Sequence, residues 1–175
     1  MALTLLLGGA RSGKSALALR RARACGGPVV FVATGEARDT EMAERIARHQ
    51  AERDPAWSTV EAPVDVAAAL AAAPPGACAI VDCLSLWVAN LLERGDGEDE
   101  VVRLAAGAAS LAAEREGPTI AVSNEVGMGV VPPYELGRLY RDVLGRVNVT
   151  WADHAAEALL VVAGRPLALG GVDGG

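Results

Sequence analysis

Apolar and polar positions along this chain form blocks that predict strands separated by helices. Short apolar runs, several of them rich in β-branched residues, have the length of buried strands and lie at residues 3–7, 29–33, 79–82, 119–123 and 159–163. Amphipathic stretches between them predict helices at about 14–25, 39–53, from 64 onward, 84–93 and 98–116. A weaker strand is predicted at 57–61, and a short edge strand that returns antiparallel is predicted at 166–169.

Strands that alternate with helices predict a mostly parallel sheet with helices on both faces. A chain of 175 residues can bury one substantial core but not two independent ones, so we expect one α/β domain over residues 1–169. The glycine-rich end, residues 170–175, is expected to be a flexible tail.

Composition indicates the kind of molecule that the protein binds, the state of its cysteines and its expected location in the cell. Sixteen basic residues against 22 acidic ones give a net charge of −6 without a basic stripe, which argues against nucleic acid and favours a small molecule. The three cysteines are widely spaced and odd in number, so we expect reduced, mostly buried thiols rather than disulfides or a zinc site. No apolar run has the length of a membrane span, and a cytoplasmic protein is expected.

A glycine-rich segment after the first strand carries the strongest chemical signal. It matches the pattern G-x-x-x-x-G-K-S, runs into a helical stretch, and contains the only lysine of the chain; its residues are Gly8, Gly9, Ala10, Arg11, Ser12, Gly13, Lys14 and Ser15. In such a phosphate loop, backbone N–H groups and the helix N-terminus bind phosphates, the lysine contacts the outer phosphates, and the serine hydroxyl can bind Mg²⁺. The alternative is an ordinary glycine-rich turn. With strand before and helix after, the pattern predicts a single-domain P-loop NTPase fold.

The carboxyl ends of the predicted parallel strands should meet at one edge and form one site. That edge would gather residues 8–15, 34–36, 82–83 and 123–125. Asp82 ends a buried strand, where a carboxylate of a phosphate-loop enzyme can bind Mg²⁺ directly or through water. It could instead cap the helix that begins at residue 84.

The second predicted helix carries Arg45, His49 and Arg53 four residues apart, on one face. Two neighbouring guanidinium groups would lower the pKa of the imidazole, keep it neutral as a nucleophile, and attract phosphate oxygens. Spacing alone also allows a packed or surface histidine. The other histidine, His154, has no such neighbours, and we expect it to pack or cap locally.

A loop rich in glycine and proline is predicted at residues 123–133. Its length and its position after a strand favour a substrate-facing role, although an ordinary connection is also possible. Three arginines follow it and could face substrate or a neighbouring subunit: Arg138, Arg141 and Arg146.

Seven segments together resemble the bifunctional adenosylcobinamide kinase/adenosylcobinamide-phosphate guanylyltransferase family of cobalamin biosynthesis. They are GGARSGKS, VAT at 32–34, EMAERIARH ending at 49, WSTVE at 57–61, VDCLSLWVAN at 81–90, SNEVGMGVVP at 123–132 and RDVLGRVN at 141–148. The resemblance implies a homotrimer that phosphorylates adenosylcobinamide from ATP or GTP. It also implies transfer of GMP from GTP onto the resulting adenosylcobinamide phosphate.

The resemblance also implies roles for individual residues. His49 would accept GMP covalently, and Lys14 would offset charge on the departing pyrophosphate. Nucleotide or metal contacts would come from residues 8–15 and from Thr34, Gly35, Gln50, Ala51, Glu52, Arg53, Glu61 and Asp82. This chain departs from the family at Arg48, where some members have a second histidine, and at Val149, where glutamine is frequent.

Two rival functions are compatible with a phosphate loop. One is a single-activity kinase of a small metabolite, in which His49 is structural and no guanylyl transfer occurs. The other is a regulatory GTPase, whose guanine-reading N-K-x-D motif would need a lysine other than Lys14, and the sequence has none.

Overall fold

One twisted sheet organises the chain in the computed structural model, which describes residues 2–37, 40–51 and 53–170. Its strands are β1 (Leu3–Gly8), β2 (Val29–Ala33), β3 (Ser58–Glu61), β4 (Cys78–Asp82), β5 (Thr119–Asn124), β6 (Glu157–Val162) and β7 (Arg165–Leu169). The helices in the same residues are α1 (Lys14–Ala24), α2 (Thr40–Ala51), α3 (Val66–Ala72), α4 (Leu84–Arg94), α5 (Glu98–Glu114) and α6 (Glu135–His154).

The strands lie in the order β3-β2-β4-β5-β1-β6-β7. Every neighbouring pair is parallel except β6 and β7, which pair antiparallel at one edge. The predicted parallel sheet and its antiparallel edge strand are therefore confirmed.

Side-chain alternation along the strands produces a core on each face of the sheet. On β1, Leu3, Leu5 and Leu7 join one core, which is closed by α3, α4, α5 and α6. Leu6 points the other way into a second core, which α1 covers with Leu17, Ala18, Leu19 and Ala22. Helices on both faces are thus confirmed, and α1 is held against the sheet directly behind the phosphate loop.

The largest difference from expectation is α6, which lies where the sequence analysis predicts no helix and which buries Val143, Leu144, Val147 and Trp151. Helices α3 and α5 differ from their predicted bounds by two residues at one end. Helix α2 ends at Ala51 rather than at Arg53. Beyond it, the Arg53 N–H donates to the carbonyl of Gln50 at 3.2 Å. Because this bond joins residues three apart, it closes a tight turn and does not continue the α-helix.

Three smaller expectations can be compared with the described residues. Cys78 and Cys83 are buried free thiols, as expected, but Cys25 is exposed at the end of α1. In the described part of the chain, no helix combines the length and apolar character needed to cross a bilayer. Asp39, where α2 was expected to begin, and residues 171–175 of the expected tail lie outside the described residues.

Apolar residues of opposite burial on α6 provide a stability test of this fold. Leu144 is completely buried, whereas Val149 on the same helix is 61% exposed. We expect Leu144→Ala to lower the free energy of unfolding by about 3 kcal/mol, because it leaves a cavity in the core. Val149→Ala, the control, should change it by less than about 0.5 kcal/mol. Urea unfolding measures both, and equal effects would contradict the placement of α6.

Candidate active site at the carboxyl edge of the sheet

Strand register brings the predicted site segments to one edge. Gly8 at the end of β1 pairs with Asn124 at the end of β5. Asp82 at the end of β4 pairs with Ala33 on one side and with Val122 on the other. Four strands therefore deliver their following residues to one side of the sheet, as expected for a parallel arrangement.

The phosphate loop is a tight turn between β1 and α1. Gly13, the N-cap of α1, has a left-handed backbone with φ of +98°, which favours glycine. A Cβ added at Gly8 would lie 2.5 Å from the carbonyl oxygen of Val161, so only glycine fits against β6. The turn after β6 also supports the loop, since the Gly164 N–H donates to the carbonyl of Ser12 at 2.7 Å.

Positive charge is concentrated at the loop. Lys14 is 7% exposed, and its Nζ donates to the carbonyl of Gly9 at 2.8 Å. Helix α1 begins at this lysine and has no acidic residue in its first turn. The N–H groups of this first turn and the helix dipole therefore point toward the loop with no acidic residue of the same turn beside them, an arrangement that favours a bound anion.

An inner cleft of about 140 Å³ lies beside the loop. In it, Nδ1 of His49 is 3.8 Å from a carboxylate oxygen of Asp82, and the two side chains are 37% and 14% exposed. Both groups can therefore reach a ligand in the cleft. The lining residues are Lys14, Ser15, Ala33, Gly35, Ile46, His49, Arg53, Asp82, Cys83, Leu86, Val122 and Asn124.

An outer groove of about 560 Å³ runs between the phosphate loop and α2. It is lined by Ala10, Arg11, Ser12, Gly13, Lys14, Ser15, Ala16, Glu44, Arg48, His49 and Asn124. The two cavities have Lys14, Ser15, His49 and Asn124 in common. His49 thus lies where the outer groove meets the inner cleft.

Several predicted site residues lie outside both linings. Gln50 and Ala51 are exposed at the end of α2, and Glu61 is exposed at the end of β3. Gly8 and Gly9 form the base of the phosphate loop. Glu52 lies outside the described residues.

Thr34 is completely buried, and its hydroxyl is used within the protein. The hydroxyl donates to the carbonyl of Cys83 at 2.8 Å and accepts from the N–H of the same residue at 2.8 Å. The Thr34 carbonyl accepts from the side-chain amide of Asn90, also at 2.8 Å. Thr34 therefore fixes the backbone next to Asp82.

Arg53 lies beyond the end of α2 but still lines the inner cleft with His49. Its guanidinium stacks on Phe31 at 3.6 Å and donates to the Thr59 hydroxyl at 3.3 Å. Burial lowers the pKa of this guanidinium, and the charge of Asp82 opposes that shift. The Arg45 side chain lies outside what the structure describes, so only one of the two expected flanking arginines is located.

Asp82 does not cap the following helix. The N-cap of α4 is Cys83, which makes no side-chain cap. The capping interpretation is therefore wrong, and the Asp82 carboxylate instead faces the inner cleft with His49. Asp82 also places a negative charge next to His49, whereas the expectation from the helix considered only the positive charges of Arg45 and Arg53.

Three other residues that the sequence analysis considered have structural contacts or a structural environment: Cys83 in the cleft, and Arg138 and His154 outside it. Burial raises the pKa of Cys83 to about 11, so this thiol stays protonated at neutral pH and is not a nucleophile. Arg138 donates to the carbonyls of Pro132 and Pro133 at 3.2 and 2.9 Å, which anchors the exposed loop before α6. His154, at the end of α6, contacts the Thr150 carbonyl through Nδ1, which agrees with the expected local role.

Three residues that line the outer groove have no individual role in the sequence analysis: Asn124, Arg48 and Glu44. Asn124 was expected at this edge of the sheet, because it is a polar residue at the end of a buried strand. No comparable signal exists for Arg48 and Glu44, since their position depends on how α2 lies against the phosphate loop.

The phosphate loop between β1 and α1, with an acidic residue ending a strand of the same sheet, defines a P-loop nucleotide-binding protein. The fold is similar to that of a solved structure described as an ATPase domain. The TM-score is 0.53, and the match covers 91% of this chain and 68% of that one. At 14% sequence identity, the likeness concerns the fold alone.

Residues 4–169 match the family model of cobinamide kinase / cobinamide phosphate guanyltransferase, and the chain belongs to this family of enzymes. It is 45% identical over 173 residues to the bifunctional adenosylcobalamin biosynthesis protein CobP of Pseudomonas aeruginosa, covering 95% of this chain and 96% of that protein. It is 37% and 38% identical to the proteins named CobU of Salmonella typhimurium and Escherichia coli, covering 91% of this chain and 95% of each. The resemblance stated from the sequence is confirmed.

Substitutions at Thr34 test its contact with Cys83. We expect Thr34→Val, which has nearly the same shape, to lower the free energy of unfolding by about 2 kcal/mol, because it leaves the buried N–H of Cys83 without its hydroxyl acceptor. Thr34→Ser keeps the hydroxyl and loses one methyl group, so its cost should be about 1 kcal/mol. Chemical denaturation measures both variants. A valine variant at least as stable as the serine variant would show that the hydroxyl contributes nothing.

Proposed function

We propose that this enzyme phosphorylates adenosylcobinamide with ATP or GTP in the cytoplasm. It then transfers GMP from GTP to adenosylcobinamide phosphate through a guanylyl-histidine formed at His49. Family membership supports the reaction class. The observation that carries the assignment of His49 is its place at the junction of the two cavities, beside Lys14 and Ser15.

The nucleotide phosphates bind along the phosphate loop in the outer groove. Backbone N–H groups and the N-terminus of α1 favour an anion there, and Lys14 offsets charge on the departing pyrophosphate. The groove volume of about 560 Å³ is of the size used by small-molecule sites, whereas about 140 Å³ in the inner cleft is too small for a whole nucleotide. The inner cleft therefore has room only for the reacting phosphoryl group, and the rest of the nucleotide lies in the outer groove.

His49 acts as the nucleophile of the guanylyl transfer. Because Nδ1 faces Asp82, we assign the attack to Nε2, with Asp82 orienting the ring. In the first displacement an N–P bond forms to the α-phosphorus and the bond to pyrophosphate breaks. In the second, a phosphate oxygen of adenosylcobinamide phosphate attacks, and the N–P bond breaks. The product has a new P–O–P linkage, and His49 regains its lone pair.

Ser15 and Asp82 fit a Mg²⁺ site in the inner cleft, because both present oxygen atoms there. Among the described residues, no group of three or more histidine, cysteine or acidic side chains could hold a metal ion. A site with few protein oxygens suits Mg²⁺, which usually retains waters and binds substrate phosphates. When bound, Mg²⁺ would neutralise phosphate charge during transfer.

The assembly we propose is the homotrimer that the family resemblance implies. An apolar surface on the loop before α6 and on the start of that helix supports contacts between copies. It consists of Met128, Val130, Val131, Tyr134 and Leu136, which are 59% to 94% exposed. A cluster of exposed apolar side chains is typical of a surface that contacts another protein.

GTP labelled in the α-phosphate tests the histidine intermediate. We expect the wild-type protein to acquire an acid-labile label and His49→Ala to acquire none, because only an N–P bond at His49 retains the GMP. His154→Ala, a matched control at the other histidine of the chain, should label normally. Label on His49→Ala equal to wild type, or no label on any protein, would leave the single-activity kinase as the better function.

The Mg²⁺ dependence of the rate tests Asp82. We expect Asp82→Asn to raise the Mg²⁺ concentration for half-maximal activity about tenfold or more, since a neutral amide is a weaker ligand or outer-shell partner. The matched control is Asp142→Asn on α6, where the carboxylate is 60% exposed and pairs with Arg141. A Mg²⁺ titration of both variants at saturating nucleotide distinguishes them. Identical titration curves would remove Asp82 from the metal site.

A further inference from the structure

Asn124 occupies a position at the active site that the proposed reaction does not yet use. It is one of the four residues that line both cavities, together with Lys14, Ser15 and His49. It ends β5, the strand that lies between β1 with its phosphate loop and β4 with Asp82. Any group that passes between the two cavities therefore passes this side chain.

Hydrogen bonds on two sides hold Asn124 in place. Its Nδ2 donates to the Ser85 hydroxyl at 2.9 Å, and its backbone carbonyl accepts from the Asn148 amide at 3.1 Å. The other end of the Asn148 side chain accepts from the Ser123 hydroxyl at 2.6 Å, and both of these residues are buried. The amide is thus oriented before a ligand arrives.

The side chain of Asn124, which lines both cavities, keeps hydrogen-bonding groups that the described protein does not use. An amide has two N–H donors and one carbonyl acceptor, and it does not titrate near neutral pH. Within residues 2–37, 40–51 and 53–170, only one N–H of the Asn124 side chain has a partner, the Ser85 hydroxyl. The other N–H and Oδ1 remain available at the junction of the cavities.

We infer that Asn124 is a catalytic residue that donates a hydrogen bond to a non-bridging oxygen of the phosphoryl group in transfer. The inference rests on the proposed function and extends it. A neutral donor that is already oriented stabilises charge that develops on the oxygen without repelling the attacking group. The same contact serves the transfer to His49 and the transfer from His49 to the corrinoid phosphate, because both occur at the same phosphorus.

Rapid-quench labelling with α-labelled GTP tests the inference. We expect Asn124→Ala to form the labelled protein about 100-fold more slowly than wild type, because one preorganised donor is lost. Its Kd for GTP should stay within about threefold, since the ground-state phosphates are held by the loop. Ser85→Ala removes the partner that orients the amide, together with a contact to the Cys83 thiol, but leaves Asn124 in place. It should slow labelling less than Asn124→Ala does.

Asn124→Asp keeps the shape of the side chain and lets the Ser85 hydroxyl donate to it. This variant should therefore fold even if Asn124→Ala does not, and the test stays valid. We expect labelling at least as slow as for Asn124→Ala, because a carboxylate repels phosphoryl oxygens. Wild-type labelling rates in a folded Asn124 variant would overturn the inference and leave the proposed function intact. Absence of label on the wild-type protein would instead overturn the proposed function.

Discussion

The candidate active site depends on the shared register of parallel strands β1, β5 and β4. Because β5 lies between the other two, β4 and β1 are two strand spacings, roughly 10 Å, apart across the sheet. The phosphate loop and Asp82 therefore face each other across a gap instead of touching. That gap has room for a phosphoryl group and a hydrated cation, and the end of β5 forms its floor.

Polar side chains on α4 and α6 hold this edge together by binding backbone groups. Asn90 donates to the carbonyls of Thr34 and Pro63, each at 2.8 Å, and the Trp87 indole donates to the carbonyl of Val64 at 2.6 Å. The Tyr140 hydroxyl donates to the carbonyl of Ser85 at 3.1 Å. These contacts account for the polar groups of Trp87, Asn90 and Tyr140, none of which lines either cavity. Their function is to fix loops whose backbone would otherwise be unpaired.

Local signals were sufficient for the sheet and for the phosphate loop. Buried parallel strands are short apolar runs, and the loop has a fixed spacing of glycine, lysine and serine, so both are readable in one segment of sequence. Helix α6 also has a local signal, because its buried residues Val143, Leu144, Val147 and Trp151 recur at helical spacing. The contact of Thr34 with Cys83 could not be predicted, because it joins residues 49 positions apart. The outer groove could not be predicted either, because it lies between two elements that are separate in the sequence.

A covalent relay through His49 is physically reasonable for cavities of such unequal size. The outer groove can hold a whole nucleotide, but the corrinoid phosphate and GTP would place many negative charges beside the single lysine if they bound together. Like charges at short range in a partly buried site repel strongly. Retaining GMP on an imidazole lets pyrophosphate leave before the second phosphate enters, so the positive groups of the loop serve the two anions in turn. The proximity of His49 to Lys14, Ser15 and Asn124 is then a requirement of the chemistry, because a relay works only if both displacements occur within reach of the same donors.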